Sequence, residues 1–128
     1  MDTHIVTTGN APDPVGPYSQ AVIAGQFVFC SGQLAIHPST GEIVTGTIET
    51  ETAQVMDNLK AVLEAAGSSL ARAVKMTIYV TNMGDFGRIN EIYGTYFGDN
   101  PPARATVGVS ALAKGANVEM DCVALLDG

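Results

Sequence analysis

Basic residues are scarce in this chain of 128 residues, where six Lys and Arg stand against thirteen Asp and Glu, for a formal net charge of −7. The six bases are scattered, and no two of them are adjacent. A protein that binds phosphate backbones needs a clustered basic surface. Nucleic acid and anionic membranes are therefore poor candidates as partners.

Cysteine is also scarce, because the chain has only Cys30 and Cys122, which lie far apart in apolar runs and form no Cys-x-x-Cys motif. Buried free thiols are the favoured interpretation, and they suit a reducing compartment. The segment from Met1 to His4 has neither the basic nor the apolar region of a signal peptide, and no apolar run is long enough for a membrane helix. We therefore expect a cytoplasmic location.

Motifs for metals and nucleotides are missing as well. His4 and His37 have no partner at metal-ligand spacing, and no Cys-His cluster could hold zinc. No glycine-rich phosphate-binding motif and no nucleophile elbow is present. We expect neither a metal nor a nucleotide site.

The pattern that is present predicts one domain over residues 1–128 with an α+β fold. The expected strands are 4–7, 21–24, 27–30, 74–80, 104–109 and 118–126. The alternation in strand 74–80 predicts one apolar face, formed by Val74, Met76, Ile78 and Val80. The first expected helix is 49–66, with Gly67 as its stop and the apolar stripe Val55, Leu59, Val62, Leu63 and Ala66. The second is capped by Asn82 or Asp85 and has the stripe Phe86, Ile89, Tyr93 and Phe97. Two helices cover only one sheet face, yet residues 27–30 are apolar at consecutive positions, which indicates burial on both faces. We therefore expect other subunits to cover the second face.

Arg104 and Glu119 are the charged residues that most suggest chemistry. Arg104 follows the stiff segment Pro101–Ala103 at the start of a strand, and its planar guanidinium suits a carboxylate in two-point contact. The alternative is a surface salt bridge. Glu119 enters an apolar strand, where desolvation would raise its proton affinity and suit it to acid–base work. The alternative for Glu119 is an edge strand whose polar face meets water.

Four further residues are candidates for lining a pocket. Tyr18 follows a rigid turn and could hydrogen-bond a substrate, although a half-buried structural tyrosine is commoner. Ser31 and Gly32 follow a buried strand, where the glycine either admits a ligand close to the backbone or only makes a turn. Asn90 lies on the second helix, and an asparagine there is usually structural.

An ordered set of blocks resembles the reactive-intermediate deaminase (YjgF-like, RidA-like) family over nearly the whole chain. The blocks are 16–21 (GPYSQA), 31–33 (SGQ), 38–42 (PSTGE), 58–60 (NLK), 65–67 (AAG), 102–107 (PARATV), Leu112 and 118–120 (VEM). The resemblance implies a chorismate-mutase-like fold of the bacillus type in a homotrimeric barrel, with an active site in each cleft between subunits. It also implies hydrolysis of enamine and imine acids such as 2-aminoacrylate to keto acids and ammonia, as a 2-iminobutanoate/2-iminopropanoate deaminase without cofactor or metal.

The family's roles are carried over where residues match. The resemblance implies that Arg104 clamps the substrate carboxylate and that Glu119 activates water and moves protons. Tyr18 would close the pocket, Ser31 and Gly32 would line it, and Asn90 would support its wall. Thr106 departs from the family, since many relatives have cysteine there. Threonine keeps the backbone carbonyl at that position but supplies no thiol.

Three other functions remain open at this point. A carboxylate-binding module would need Arg104 but not Glu119, and a chaperone-like role would need neither. A ribonuclease or translation-inhibitor role, as attached to some relatives, is disfavoured by the net charge of −7.

Overall fold

The computed structural model describes residues 2–127, so Met1 and Gly128 of the predicted domain lie outside the described residues. The strands within that range are β1 Thr3–Val6, β2 Ala21–Ala24, β3 Phe27–Gln33, β4 Ala73–Val80, β5 Ala103–Gly108 and β6 Val118–Leu125. The helices are α1 Ile48–Ala65 and α2 Phe86–Gly94. The predicted order of strands and helices is confirmed.

The strands form one mixed sheet in the order β1-β2-β3-β6-β4-β5. Neighbouring strands are antiparallel except β4 and β5, which run parallel. A parallel pair needs a crossover connection, and α2 supplies it between these two strands. Both helices pack on the same face of the sheet, which confirms the predicted α+β architecture.

Helix α1 has the apolar stripe and the glycine stop that the sequence predicts, and in addition a side-chain cap at its start. The Thr47 side chain accepts a hydrogen bond from the backbone N–H of Thr50 at 3.1 Å and so caps the start. At the other end Gly67 has φ +83°, and the Ser68 N–H donates to the Leu63 carbonyl at 2.8 Å. The stripe residues are fully buried: Val55, Leu59, Val62 and Leu63.

The second helix is shorter than the predicted apolar stripe. Ile89 and Tyr93 are buried as expected, but α2 ends at Gly94. Phe97 therefore lies beyond the helix, and its ring packs against that of Tyr93 with centroids 4.8 Å apart. Asn82 caps the 3-10 turn that leads into α2, where its side chain accepts from the Gly84 N–H at 2.9 Å.

Strand β4 differs from the predicted alternation at one residue, Val74. Met76, Ile78 and Val80 are buried under the helices as expected, whereas Val74 is 38% exposed. The register against β6 shifts between Ala73 and Lys75, so a bulge turns Val74 away from the core.

Strand β6 shows the difference between the two faces of the sheet. Val118, Met120, Cys122 and Ala124 face the helices and are at most 1% exposed. Their alternates face the other way, on what we call the open face: Glu119, Asp121, Val123 and Leu125. On the same face Phe27 and Phe29 of β3 are 42% and 47% exposed. The described residues of one chain thus leave this partly apolar face uncovered.

The two cysteines are free and buried, as predicted. Cys30 and Cys122 lie opposite each other on β3 and β6. The hydrogen bond with Cys122, together with burial, raises the pKa of the Cys30 thiol far above its ordinary value. The Cys30 thiol therefore remains a protonated core side chain at neutral pH.

Candidate active site

A cavity of about 400 Å³ opens beside the end of β3 and brings together four of the predicted site residues, Tyr18, Ser31, Gly32 and Glu119. Its remaining lining residues come from the loop before β2, the segment after β3 and the turn before β6: Pro12, Asp13, Val15, Gln20, Gln33, Leu34, Ile36, Ala113 and Lys114. The wall is mixed, with apolar side chains beside a few polar groups, as is usual for small-molecule sites.

A β-bulge shapes the floor of this cavity. Cys30 pairs with Cys122 and Gln33 with Met120, so Ser31 and Gly32 together lie opposite a single residue of β6. A Cβ atom added at Gly32 would lie 2.9 Å from Glu119 Cδ and would overlap Glu119 Oε2. The group that approaches the Gly32 backbone is therefore the Glu119 carboxylate, and any side chain here would displace it.

Glu119 is half-buried on the open face of β6. Burial of its carboxyl raises its pKa above the ordinary value, and the negative charge of Asp121 raises that pKa further. A carboxyl group that binds its proton more tightly than usual can exchange protons with a substrate nearer neutral pH. This direction agrees with the sequence-based expectation of partial desolvation.

The hydroxyls of Tyr18 and Ser31 already make hydrogen bonds that limit what they can offer a ligand. The Val15 N–H donates to the Tyr18 hydroxyl oxygen at 3.1 Å, which leaves the phenolic proton free to donate. The Ser31 hydroxyl donates to the Ser19 carbonyl at 2.6 Å. Ser31 can therefore only accept a hydrogen bond from a bound molecule, while Tyr18 can donate one.

Gln20 is a cavity residue that sequence reasoning missed. Its side chain is buried, accepts from the Thr8 N–H at 2.7 Å, and donates to the carbonyls of Thr8 at 3.0 Å and Pro12 at 2.9 Å. These bonds fasten the loop that forms one wall of the cavity. The sequence does contain a signal for this role, because Gln20 lies between a turn-rich loop and an apolar strand. An amide side chain buried at such a position needs hydrogen-bond partners, and the loop backbone can supply them.

Arg104 lies in a second cluster, against α2. Its Nη1 donates to Asn90 Oδ1 at 2.7 Å, and the guanidinium carbon lies 5.4 Å and 5.1 Å from the ring centroids of Phe86 and Tyr93. Among residues 2–127, no carboxylate oxygen lies within 4.0 Å of its guanidinium nitrogens. The surface salt bridge considered above is thus not what the structure has. A cation held by rings and an amide keeps its charge available for a bound anion.

Thr106 lies two residues further along β5, beside Ile78 of β4 and on the same sheet face as Arg104. Its hydroxyl and that of Tyr93 are buried, and neither has a hydrogen-bond partner within the part of the chain that the structure describes. Burial raises the pKa of the Tyr93 phenol, while the Arg104 charge opposes that rise. Both hydroxyls are therefore protonated donors close to the Arg104 cluster.

The two clusters do not meet within one chain. Arg104 pairs with Met76, whose side chain faces the helices, whereas Glu119 pairs with Tyr79 on the open face. Strand β4 lies between their two strands, which places β5 and β6 about 10 Å apart. The structure thus brings Tyr18, Ser31, Gly32 and Glu119 together, and separately groups Asn90, Arg104 and Thr106.

Neither a metal-binding cluster nor a membrane-spanning helix occurs among residues 2–127. No group of three or more His, Cys, Asp or Glu side chains there could hold a metal ion. No helix in that range has the length and apolar character needed to cross a membrane.

Comparisons with known proteins give the same family throughout. Residues 8–126 match the family model described as Endoribonuclease L-PSP. A RutC family protein of Pyrococcus horikoshii is 51% identical over 120 residues, which covers 94% of this chain and 95% of that protein. The 2-iminobutanoate/2-iminopropanoate deaminase of Dermatophagoides farinae is 43% identical, with 96% of both chains covered. The crystal structure of E. coli TdcF with bound serine superimposes with a TM-score of 0.92 at 36% identity, over 97% of this chain and 99% of that one.

Proposed function

This chain belongs to the family described as Endoribonuclease L-PSP, the YjgF/RidA family, and from that premise we propose that it hydrolyses 2-imino and 2-enamino acids such as 2-aminoacrylate. The products are 2-keto acids and ammonia. The observation that carries the proposal is a pair of complementary groups, a guanidinium without a carboxylate partner among residues 2–127 and a half-buried carboxyl with a raised pKa. The first suits a substrate carboxylate, and the second suits proton transfer to and from water.

The reaction needs little beyond these groups. An enamine first takes a proton from solvent on its carbon and becomes the iminium ion, which is the protonated imine. Glu119 then accepts a proton from water as the water oxygen adds to the imine carbon, which gives a tetrahedral carbinolamine. Glu119 returns the proton to the amino nitrogen, the C–N bond breaks, ammonia leaves, and the remaining hydroxyl loses its proton to form the keto acid. Arg104 holds the carboxylate and fixes the distance between the imine carbon and the water.

The two hydroxyl groups in the cavity suit the same reaction, because one can accept a hydrogen bond and the other can donate one. Ser31 can accept from an iminium N–H or from the attacking water, because its own proton is donated to Ser19. Tyr18 can donate to the developing hydroxyl of the carbinolamine, because its oxygen already accepts from Val15. Both residues line the same cavity as Glu119.

A site that uses both Arg104 and Glu119 requires two copies of the chain, since one chain keeps them on opposite sheet faces. We infer that the open face is buried against other copies in a homotrimer. Its exposed aromatic side chains, Phe27 and Phe29, and the edge position of β5 support this inference. A closed ring places the Arg104 edge of each subunit at the cavity of the next.

A ribonuclease function, which the family description names, receives no support from this site. Glu119 and Asp121 share the open face, Asp13 lies at the cavity rim, and the net charge is −7. An anionic backbone would be repelled there, because the six basic residues are scattered and form no basic patch.

A coupled assay tests the proposed function. A serine or threonine dehydratase generates 2-aminoacrylate, and keto acid formation is followed with wild type, Arg104→Ala and Glu119→Gln. Arg72→Ala and Glu64→Gln serve as matched controls, because both residues are exposed and lie outside either cluster. Acceleration by wild type and the controls that both site variants lose, with assembly intact, supports the deaminase. No acceleration over several imino acids refutes it, and carboxylate binding without turnover favours a binding module.

A further inference from the structure

A second carboxylate lies beside Glu119 and takes no part in the reaction described above. Asp121 is two residues further along β6 on the same open face, so its Cα lies about 7 Å from that of Glu119. Both side chains are only partly exposed. Two like charges at this separation, partly withdrawn from water, affect each other's protonation.

Asp121 is held in place from the neighbouring strand. The Tyr79 hydroxyl donates to Asp121 Oδ2 at 3.0 Å, and Tyr79 is itself the cross-strand partner of Glu119. The hydrogen bond to Asp121 raises the pKa of the Tyr79 phenol, so this donor keeps its proton at neutral pH. This donated hydrogen bond fixes the direction of the Asp121 carboxylate.

Within residues 2–127 of one chain, Asp121 is the only other charged side chain on the open face of β6, and the Arg104 that the proposed trimer brings to the cavity comes from a neighbouring subunit. Strand β3 contributes only the hydroxyl of Ser31 and the backbone of Gly32 on this side. The remaining titratable side chains on the open face or at the cavity rim are Asp13, Tyr18, Lys75, Tyr79 and Lys114. Burial and Asp121 alone account for the raised pKa of Glu119, which is consistent with the other charges lying at the rim.

We propose that Asp121 is a positioning residue that acts through Glu119: held by the Tyr79 hydroxyl, it keeps a fixed negative charge beside Glu119 and so lets Glu119 retain the proton that the leaving amine receives. The inference rests on the proposed function and deepens it. Without this charge, Glu119 would still accept a proton from water, but it would release that proton more readily to solvent.

The size of the effect follows from Coulomb's law. Two unit charges about 7 Å apart, in surroundings between those of water and of a protein interior, shift each other's titration by about 0.5–1.5 pH units. Asp121→Asn removes the charge but keeps the size of the side chain and an oxygen that can accept from Tyr79. The titration of Glu119 should therefore move to lower pH by that amount.

The test is a carbon-13 NMR titration of the side-chain carboxyls, in which the Glu119 signal is assigned by its loss in Glu119→Gln. Wild type is compared with Asp121→Asn, Asp121→Ser, Asp121→Glu and a matched control, Asp57→Asn. Asp57 also accepts from a tyrosine hydroxyl, that of Tyr96 at 2.9 Å, but on the exposed side of α1. Asp121→Ser repeats the neutralisation should the asparagine variant not assemble, and Asp121→Glu restores the charge.

The expected result is a lower Glu119 midpoint in both neutral variants and an unchanged midpoint in Asp121→Glu and Asp57→Asn. In the coupled assay, the rise of kcat/KM with pH that follows ionisation of Glu119 should move to lower pH by the same amount. A Glu119 midpoint that stays or rises in Asp121→Asn and Asp121→Ser overturns the inference, even where wild type turns over imino acids. A lowered midpoint in a protein without any turnover refutes the proposed function instead, so the two failures are distinguishable.

Discussion

Replacing Gly32 by alanine should lower the activity strongly while leaving the fold intact. The added methyl group would lie 2.9 Å from Glu119 Cδ and 3.3 Å from Cγ, where ordinary contacts are 3.4–4 Å. The carboxyl must therefore move by roughly 0.5–1 Å, and a displacement of this size at a reacting group costs about 10–100-fold in kcat/KM. Gly32 has no left-handed backbone conformation, so alanine introduces no backbone strain of its own.

The assay is the keto acid assay with 2-aminoacrylate, run beside thermal unfolding. The matched control is Gly98→Ala, because a methyl group added at Gly98 would meet nothing within 4 Å. We expect Gly32→Ala to lose at least tenfold in kcat/KM with a Tm within a few degrees of wild type, and the control to change neither. Full activity of an assembled Gly32→Ala protein would show that the position of Glu119 against the bulge does not matter.

Three further substitutions test other parts of the account. Arg104→Lys should lower kcat/KM at least tenfold, mainly by raising KM, because an ammonium group cannot make a two-point contact with a carboxylate. An unchanged KM would contradict the proposed contact between Arg104 and the substrate carboxylate. Phe29→Asp should dissociate the oligomer, because it places a charge on the open face, where Phe29 is 47% exposed in one chain. Light scattering measures the change in molar mass, and an intact oligomer would place the interface elsewhere. Leu59→Ala should lower the free energy of unfolding by about 2–5 kcal/mol, because Leu59 is fully buried. The measurement is unfolding by urea, and a loss under about 1 kcal/mol would contradict the place of Leu59 in the core.

The elements could be predicted from sequence because each carries its own local pattern. The helical stripe of α1 from Val55 to Leu63 and its glycine stop are readable without tertiary information, and so is the alternation of β6. The exposure of Val74 could not be predicted, because a bulge between β4 and β6 depends on the partner strand as well as on the sequence of β4. The end of α2 could not be predicted either, because the apolar spacing continues to Phe97, past the point where the helix ends at Gly94.

The arrangement of the site could be predicted only in part. Residue types pointed to Arg104 and Glu119, but their placement on opposite faces depends on the non-sequential order of β6, β4 and β5 and on the register of the parallel pair. The role of Gln20 depends on which carbonyls the loop presents to it, and the pairing of Asp121 with Tyr79 spans 42 residues. Such contacts are set by the folded chain and leave no local signal.

The most direct test of the central claim is to mix two inactive variants. Arg104→Ala and Glu119→Gln subunits are unfolded together, reassembled in equal amounts and assayed with 2-aminoacrylate. If each site takes Arg104 from one subunit and Glu119 from its neighbour, random assembly in a symmetric ring restores about a quarter of wild-type activity. Each variant reassembled alone should stay inactive. A mixture no more active than the separate variants, although hybrid oligomers form, would contradict a deaminase site shared between subunits.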